Sequence, residues 1–299
     1  MTTSAPTIQG RPHRSMARTV AGIALLGMLA GCATAKPELA ASAVPAENAV
    51  ALYRDQGWSA LEAGRHQDAI KAFNQVAQMM PEDANAHLGL GEAHLGQNKL
   101  EIALDHFAQA ETIEGTDHRA RALQGKGIGL LRQGDYAEAE AALSAALALD
   151  DSLWRAHNGM GRIYDARSEW VEAETAYKRA ITLRPDDATL HNNLGFSLLA
   201  AGDLGRAESS LGRALALDPA LETAATNLRL ALALQGRYQP AIAGSAKQDL
   251  PRTLNNVAFV AWMRGEEEAA RSFFHQAIEA SPDFFPEARR NLAALEDML

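Results

Sequence analysis

A small residue returns through most of the chain at a nearly constant interval, and this period constrains the fold more than any other feature. The interval is 34 residues in four of six cases, with one of 36 and one of 29. The positions are Ala69, Ala103, Ala139, Ala173, Ala207, Ala241 and Ala270. A repeat of this length is one supersecondary unit, and such units stack on their neighbours because none can bury its apolar face alone.

Two further positions keep the same interval and indicate how the units pack. A second small residue lies twelve positions before the alanine in most units, at Gly57, Gly91, Gly127, Gly161, Gly195, Arg229 and Ala258. A large residue follows the alanine by four in most units, at Phe73, Phe107, Leu143, Tyr177, Leu211, Ser245 and Phe274. Apolar residues recur at helical spacing, and Val and Ile together number only 17. The pattern therefore predicts two helices per unit, with small residues at close helix contacts.

This pattern resembles the tetratricopeptide repeat, a helix–turn–helix unit of about 34 residues. The resemblance implies an all-α solenoid of about seven repeats. The predicted units are 50–83, 84–117, 120–153, 154–187, 188–221, 222–250 and 251–284, followed by a capping helix over 285–299. The sixth unit is irregular, because Arg229 replaces the small residue and the second helix is about five residues short before Pro251. Residues 236–250 are therefore predicted to be a weak joint.

The N-terminal segment carries a targeting signal. A polar, basic start precedes an apolar run of 11 residues, Val20 to Ala30, which is too short to be a permanent membrane-spanning helix. The run ends in Leu29-Ala30-Gly31-Cys32, which resembles a bacterial lipobox, and Cys32 is the only cysteine. We therefore expect a lipoprotein signal peptide over residues 1–31 and lipid attachment at Cys32. The alternative is an ordinary signal peptide with a chance cysteine.

The residues after Cys32 predict where such a protein would reside. Ala33, rather than aspartate, follows the cysteine, and resemblance to lipoproteins then implies transfer to the outer membrane. Residues 32–49 contain many alanines with Pro37 and Pro45, which is typical of a flexible tether. The expected location is the outer membrane, with the repeats facing the periplasm and the lipid as the only membrane contact.

The sequence offers no catalytic, cofactor or metal site. The net charge of −9 disfavours binding to nucleic acid, and one cysteine excludes an internal disulfide. His87, His157 and His191 share one repeat position, so we expect them to pack at helix starts and not to bind metal. The segment Gly125–Gly129 resembles a phosphate loop but lies inside a predicted helix with no strand before it. We therefore expect a protein that is not an enzyme and that uses no cofactor.

Resemblance to the repeat family implies that the first helices line a groove that binds protein partners. The groove positions of the family fall here on Arg121, Arg155, Asn158, Arg162, Asp165, Asn192, Phe196, Leu199, Asn255, Phe259 and Trp262. Asparagine side chains both donate and accept hydrogen bonds, which suits contact with a peptide backbone. Exposed aromatic residues are typical anchors at interfaces. The alternative is that the asparagines are ordinary solvated helix positions and the aromatic residues pack between units.

The combination of lipobox, tether and repeats is similar to the TadD family of the tight-adherence (Tad, or Flp) pilus assembly system. Segments such as Asn192–Phe196, Ala231–Tyr238, Leu254–Ala258 and Pro286–Leu292 also resemble that family. The resemblance implies a scaffold that assists assembly of the pilus secretion apparatus, with the outer-membrane secretin and other assembly proteins as partners. Two alternatives share the same features: a pilotin-like lipoprotein for type IV pili, and a periplasmic adaptor for peptidoglycan hydrolases.

Overall fold

The computed structural model describes residues 46–281 and 286–297, and helices joined by short connections make up this part of the chain. It contains fifteen helices and no strand. The helices are α1 (Ala46–Glu62), α2 (His66–Met79), α3 (Ala84–Gly96), α4 (Leu100–Thr112), α5 (Thr116–Gln133), α6 (Tyr136–Leu149), α7 (Trp154–Ala166), α8 (Trp170–Leu183), α9 (Ala188–Ala200), α10 (Leu204–Leu217), α11 (Glu222–Leu234), α12 (Tyr238–Ile242), α13 (Leu250–Met263), α14 (Glu267–Ala280) and α15 (Pro286–Asp297). Among the described helices, none combines the length and the apolar character needed to cross a bilayer.

Consecutive helices pair as seven hairpins, from α1–α2 to α13–α14, and α15 follows them. One residue in each hairpin turn adopts the left-handed backbone conformation that ends the first helix. Five of these residues are glycines, such as Gly64 with φ +69°, and the other two are Asn98 and Ser168. They all lie five positions before the repeating alanine. The periodic pattern therefore predicts where each first helix ends as well as which of its residues pack against the second helix.

Large side chains lock each hairpin to the next. Phe73 is fully buried, and its ring lies against Gly57 of its own hairpin and Gly89 of the next. Phe107 lies in the same way between Gly91 and Gly125. A Cβ atom added to Gly91 would lie 2.6 Å from the Phe107 ring, closer than atoms can approach without a shift. The predicted division of small and large positions is thus the physical basis of the array.

The backbones of successive first helices approach one another along the array, whereas those of successive second helices do not, although side chains such as Arg206 and Glu174 pair between α10 and α8. The contact series runs through α1, α3, α5, α7, α9, α11, α13 and α15. We call the surface formed by these eight helices the first-helix face. The fold prediction, an all-α array of helix–turn–helix repeats, is confirmed by this arrangement.

Two helix starts differ from the predicted ones. Helix α1 begins at Ala46, four residues before the predicted first unit and inside the predicted tether. Helix α5 begins at Thr116 and runs through the two residues that were expected to separate units two and three.

The sixth hairpin is more irregular than the sequence predicts. Helix α12 has only five residues, whereas every other second helix has 13 or 14. The chain leaves α12 through Gly244, which has φ +76°, and does not become helical again until Leu250. Ser245 stands where the other units have a large packing residue, so no side chain there could hold a longer helix against α11 and α13.

The predicted signal peptide, the Cys32 lipidation site and most of the predicted tether lie outside the described residues. The same holds for Pro282 to Phe285 and for the last two residues of the predicted capping helix.

Candidate protein-binding face

A cavity of about 500 Å³ opens on the first-helix face between α1, α3, α5 and α7. Trp58 and Trp154 lie in its wall together with leucines and three arginines, Arg121, Arg132 and Arg155. The guanidinium of Arg121 lies over the Trp58 ring at 5.4 Å. This contact holds the cation against an aromatic face and keeps it at the surface.

The arginines of this cavity form a positive cluster on an acidic protein. Arg155 donates two hydrogen bonds to the Glu92 carboxylate, at 2.7 and 3.1 Å, across helices 63 residues apart in sequence. Arg132 donates to the Leu95 carbonyl oxygen at 2.8 Å. Burial, together with repulsion from Arg155 and Arg162, lowers the pKa of the Arg132 guanidinium. The cavity is lined by Arg121, Arg132 and Arg155 and by the carboxylates of Glu62 and Glu92, and within the described residues neither Arg121 nor Arg132 makes an ion pair, so this region presents more positive than negative charge.

Asparagines form a hydrogen-bonded ladder across the neighbouring first helices. Asn193 donates to Asn158 at 2.9 Å, and Asn227 donates to Asn192 at 3.0 Å. A weaker bond at 3.3 Å joins Asn192 to Asn193 and connects the two steps. Asn192 is only 8% exposed. These amides therefore fix the register of α7, α9 and α11. Because they bond to one another, fewer of their donors and acceptors are available to bind a peptide.

A half-buried carboxylate joins α7, α8 and α9 next to this ladder. Asp165 accepts a hydrogen bond from the Tyr177 hydroxyl at 2.7 Å and another from the Ser197 hydroxyl at 2.6 Å. Burial raises the pKa of Asp165, although both hydroxyl bonds oppose the shift. Burial, followed by the bond to Asp165, raises the pKa of Tyr177. Asp165 thus acts as a joint between three helices, and Phe196, 48% exposed, lies beside it at the surface.

The predicted aromatic residues near the C-terminal end lie on α13. Phe259 is 43% exposed and makes an edge-to-face contact with Trp262 at a centroid distance of 5.9 Å. Asn255 is nearly buried and accepts a hydrogen bond from Asn291 of α15 at 3.0 Å, which repeats the ladder at this end. Asn255 and Phe259 line a second cavity, of about 480 Å³, between α11 and α13.

Comparison with known proteins identifies the repeat. Residues 54–117 and 125–188 match the family model described as tetratricopeptide repeat. These two segments are therefore similar to tetratricopeptide repeats. The helix–turn–helix architecture of the matched segments continues through the later hairpins of the described part. Such repeats generally form a non-catalytic scaffold for protein–protein interaction. A search of curated protein sequences gives no significant match.

Solved structures with related folds include several repeat proteins. A chain of the APC/C hetero-tetramer Cut9-Hcn1 aligns over 82% of this chain with a TM-score of 0.62 and 20% identity, and the aligned part is 48% of that chain. A tetratricopeptide-repeat protein from Cytophaga hutchinsonii aligns over 80% of this chain and 99% of its own length, with a TM-score of 0.55 and 16% identity. Pseudomonas aeruginosa pilF aligns over 83% of this chain and 99% of its own length, with a TM-score of 0.52 and 16% identity. The chain thus spans about half the length of the Cut9-Hcn1 chain, and these likenesses show the fold alone.

The histidines that share a repeat position have a structural role at the starts of the first helices. The Nε2 atoms of His87, His157 and His191 lie 2.9–3.0 Å from the carbonyl oxygen six residues earlier. A carbonyl can only accept, so each Nε2–H donates and ties the helix start to the preceding turn. In the described part of the chain, no three histidine or acidic side chains are arranged to hold a metal ion.

The segment that resembles a phosphate loop lies in the interior of α5. Its first two glycines face rings or branched side chains of α4 and α6: Gly125 lies against Phe107, and Gly127 lies against Leu143. The phosphate-loop interpretation is therefore excluded, because the backbone amides are part of a helix.

The structure distributes the predicted groove residues over three cavities. Arg121 and Arg155 line the first cavity, Arg162, Asn192 and Phe196 line a smaller one of about 210 Å³, and Asn255 and Phe259 line the cavity at the C-terminal end. Asn158 and Trp262 contact these residues through the asparagine ladder and the aromatic pair. Sequence reasoning did not single out Trp58, Arg132, Glu92, Asn193 and Asn227 for this face. Asn193 and Asn227 could have been found, because they lie 35 residues after Asn158 and Asn192.

Proposed function

We propose that this protein is a non-enzymatic scaffold that binds protein segments on its first-helix face. The observation that carries the proposal is the cavity in which Arg121, Arg132 and Arg155 lie beside Trp58 and Trp154, with Arg162 near enough to repel the charge of Arg132, on a chain of net charge −9. Arginine and tryptophan are the residues most enriched at interface positions that dominate binding. A positive cluster on an acidic protein also directs an acidic partner to one face.

We further propose that the scaffold is held at the outer membrane by a lipid on Cys32 and serves a Tad/Flp-type pilus secretion apparatus. The support is the sequence: the apolar run, the Leu29-to-Cys32 lipobox and the resemblance to the TadD family. Partners would then be the secretin and neighbouring assembly proteins. The pilotin and peptidoglycan-hydrolase alternatives predict different partners, so the identity of captured proteins separates them.

The test is co-purification of partners from envelope extracts of the native host, using the full-length chain. The double variant Arg121→Gln/Arg162→Gln should lose most captured partner, because both arginines are exposed on the first-helix face. The control Lys71→Gln/Arg213→Gln removes the same charge from exposed positions on second helices and should capture normally. Equal capture by both double variants would refute the assignment of the face.

Membrane anchoring is measured on the same material. Cys32→Ser should move the protein from the membrane fraction to the soluble periplasmic fraction, since no lipid could be attached to sulfur. Retention of Cys32→Ser in membranes after a high-salt wash would refute lipid anchoring and leave the binding face unaffected.

A further inference from the structure

The cavity at the sixth and seventh repeats differs from a regular repeat interface. It is formed by α11 and α13 alone, has a volume of about 480 Å³, and is lined by Arg229 and Leu230 from α11 and by Arg252, Asn256 and Phe259 from α13. It coincides with the irregular hairpin, where α12 has five residues. Arg229 also occupies the position at which the first five repeats have glycine.

The irregular hairpin explains why an arginine is tolerated at this position. In the regular repeats the glycine makes room for a large residue of the second helix, as Gly91 does for Phe107. Here Ser245 stands at the large position, beyond the end of the short helix α12. The position therefore needs no glycine, and a long side chain can extend toward the first-helix face.

The positive charge in this cavity is only weakly compensated by the described residues. Two arginines line it, and none of the lining residues is acidic. Arg252 makes one exposed contact, at 3.2 Å, with Asp249 three residues earlier, which contributes little because water screens it. Arg229 makes no hydrogen bond or ion pair with a residue of the described ranges. An arginine guanidinium binds a carboxylate through two parallel hydrogen bonds, so both cations are suited to carboxylate partners.

The other walls of the cavity suit an apolar side chain. Leu230, Val260 and the exposed ring of Phe259 present carbon surface, while Thr226, Thr253 and Asn256 supply polar groups around it. A concave, largely apolar site with a few polar groups is the usual form of a binding pocket. A volume of about 480 Å³ is sufficient for a few side chains of a peptide.

We infer that the cavity between α11 and α13 binds a segment of a partner protein in which carboxylate side chains alternate with large apolar side chains. This inference rests on the proposed protein-binding function and specifies the chemistry of one binding segment. The carboxylates bind Arg229 and Arg252, and the apolar side chain packs against Phe259 and Leu230. This second site is formed by α11 and α13, whereas the cavity that contains Arg121 is formed by α1, α3, α5 and α7.

The inference is tested with fluorescein-labelled peptides and the full-length protein. The probe peptide has three aspartates alternating with two leucines between glycine–serine ends. One control peptide replaces aspartate with asparagine, and a second replaces leucine with serine. Fluorescence anisotropy should show saturable binding of the probe peptide, with each control binding about tenfold more weakly or worse.

Protein variants locate the binding to the cavity. Arg229→Gln/Arg252→Gln should weaken binding of the probe peptide at least tenfold, whereas Lys71→Gln/Arg213→Gln should not change it. Far-ultraviolet circular dichroism checks that helical content is unchanged, and Phe259→Ser, which keeps both arginines, should also weaken binding. Raising the salt concentration should weaken binding of the probe more than that of the asparagine control.

Several results would overturn the inference. They are the absence of binding, equal binding of probe and asparagine peptides, or equal binding by wild type and Arg229→Gln/Arg252→Gln. Displacement of the probe by vesicles of anionic lipid at lower concentration than by unlabelled probe would point to a lipid site and would also overturn it. If the Arg121→Gln/Arg162→Gln protein loses its cellular partner while the cavity variant binds peptide normally, the inference fails and the proposed function stands. If instead the cavity variant loses peptide binding while the Arg121→Gln/Arg162→Gln protein keeps its cellular partner, the cavity between α11 and α13 stands as a binding site and the role of Arg121 and Arg162 is refuted.

Discussion

Gly91 and Phe107 provide a quantitative test of how the repeats pack. A methyl group added at Gly91 would lie 2.6 Å from the Phe107 ring, which is fully buried and lies against Gly125 on its other side. Overpacking of this kind costs about 1–3 kcal/mol. Replacing glycine by alanine inside a helix contributes about 1 kcal/mol in the opposite direction. Gly91→Ala should therefore reduce the free energy of unfolding by up to about 2 kcal/mol.

Gly212 is a matched control inside another helix. It is exposed in the middle of α10, and a Cβ atom added there would meet nothing within 4 Å. Gly212→Ala should raise the free energy of unfolding by about 1 kcal/mol through helix propensity alone. The difference between the two alanine variants, about 1–3 kcal/mol, isolates the cost of the clash with Phe107.

A double-mutant cycle tests the assigned cause. Phe107→Ala alone should cost about 3–5 kcal/mol, since it removes a buried ring between α3 and α5. In the Phe107→Ala background the added methyl of Gly91→Ala meets empty space, so the substitution should become stabilising by about 1 kcal/mol. The coupling energy of the pair is therefore expected to be about 1–3 kcal/mol.

Urea denaturation followed by circular dichroism gives the free energies. Because repeat arrays can unfold locally, amide hydrogen exchange of α3 and α5 should be measured as well. The reasoning is wrong if Gly91→Ala stabilises the protein as much as Gly212→Ala does. It is also wrong if Gly91→Ala has the same effect in the presence and absence of the Phe107 ring.

Two further predictions concern titratable groups. Burial lowers the pKa of His94 and His106, and positive charge on the neighbouring histidines lowers that of His106 further. The unfolded chain then binds more protons than the folded chain below about pH 6.5. The protein therefore has its full stability above that pH, and its free energy of unfolding falls as the pH decreases. His106→Phe should flatten the dependence measured by urea denaturation between pH 7.5 and 5, and an unchanged slope would contradict the assignment. Tyr177→Phe removes one hydroxyl donor from the Asp165 carboxylate and should cost about 1.5–3 kcal/mol in the same assay at pH 7, whereas a loss below about 0.5 kcal/mol would show that water replaces the hydroxyl.

The hairpins could be predicted from the sequence because their packing depends on residue size at fixed intervals. The roles of Gly57, Gly91 and Phe73 can be predicted from their positions in the repeat. A glycine inside one helix leaves space for a large side chain of the paired helix, and the period places the two side by side. Two of the turns could not be located by a glycine, because Asn98 and Ser168 adopt the left-handed conformation that glycine adopts in the other units. Their positions relative to the repeating alanine nonetheless agree with the period.

The binding face could not be predicted to the same depth. The period places Arg155 and Asn192 on first helices, but whether their side chains are free depends on the distances between neighbouring helices. Arg155 pairs with Glu92, which lies two hairpins earlier, and Asn192 bonds to Asn227 in the next hairpin. Such partners come from different repeats, so a pattern within one repeat does not reveal them.

The irregular hairpin shows how a loss of regularity can create a site. A regular repeat uses its glycine and its large residue to fill the space between its two helices. At the sixth repeat the large residue becomes Ser245, the glycine becomes Arg229, and α12 shortens to five residues. Each change alone would be destabilising: a serine in place of the large residue would leave a void, and an arginine in place of glycine would collide with that residue. Together they are compatible, because the arginine no longer has a large partner to collide with. The serine and the arginine are therefore expected to occur together. In combination they replace part of the packing between hairpins with an open cavity that carries positive charge.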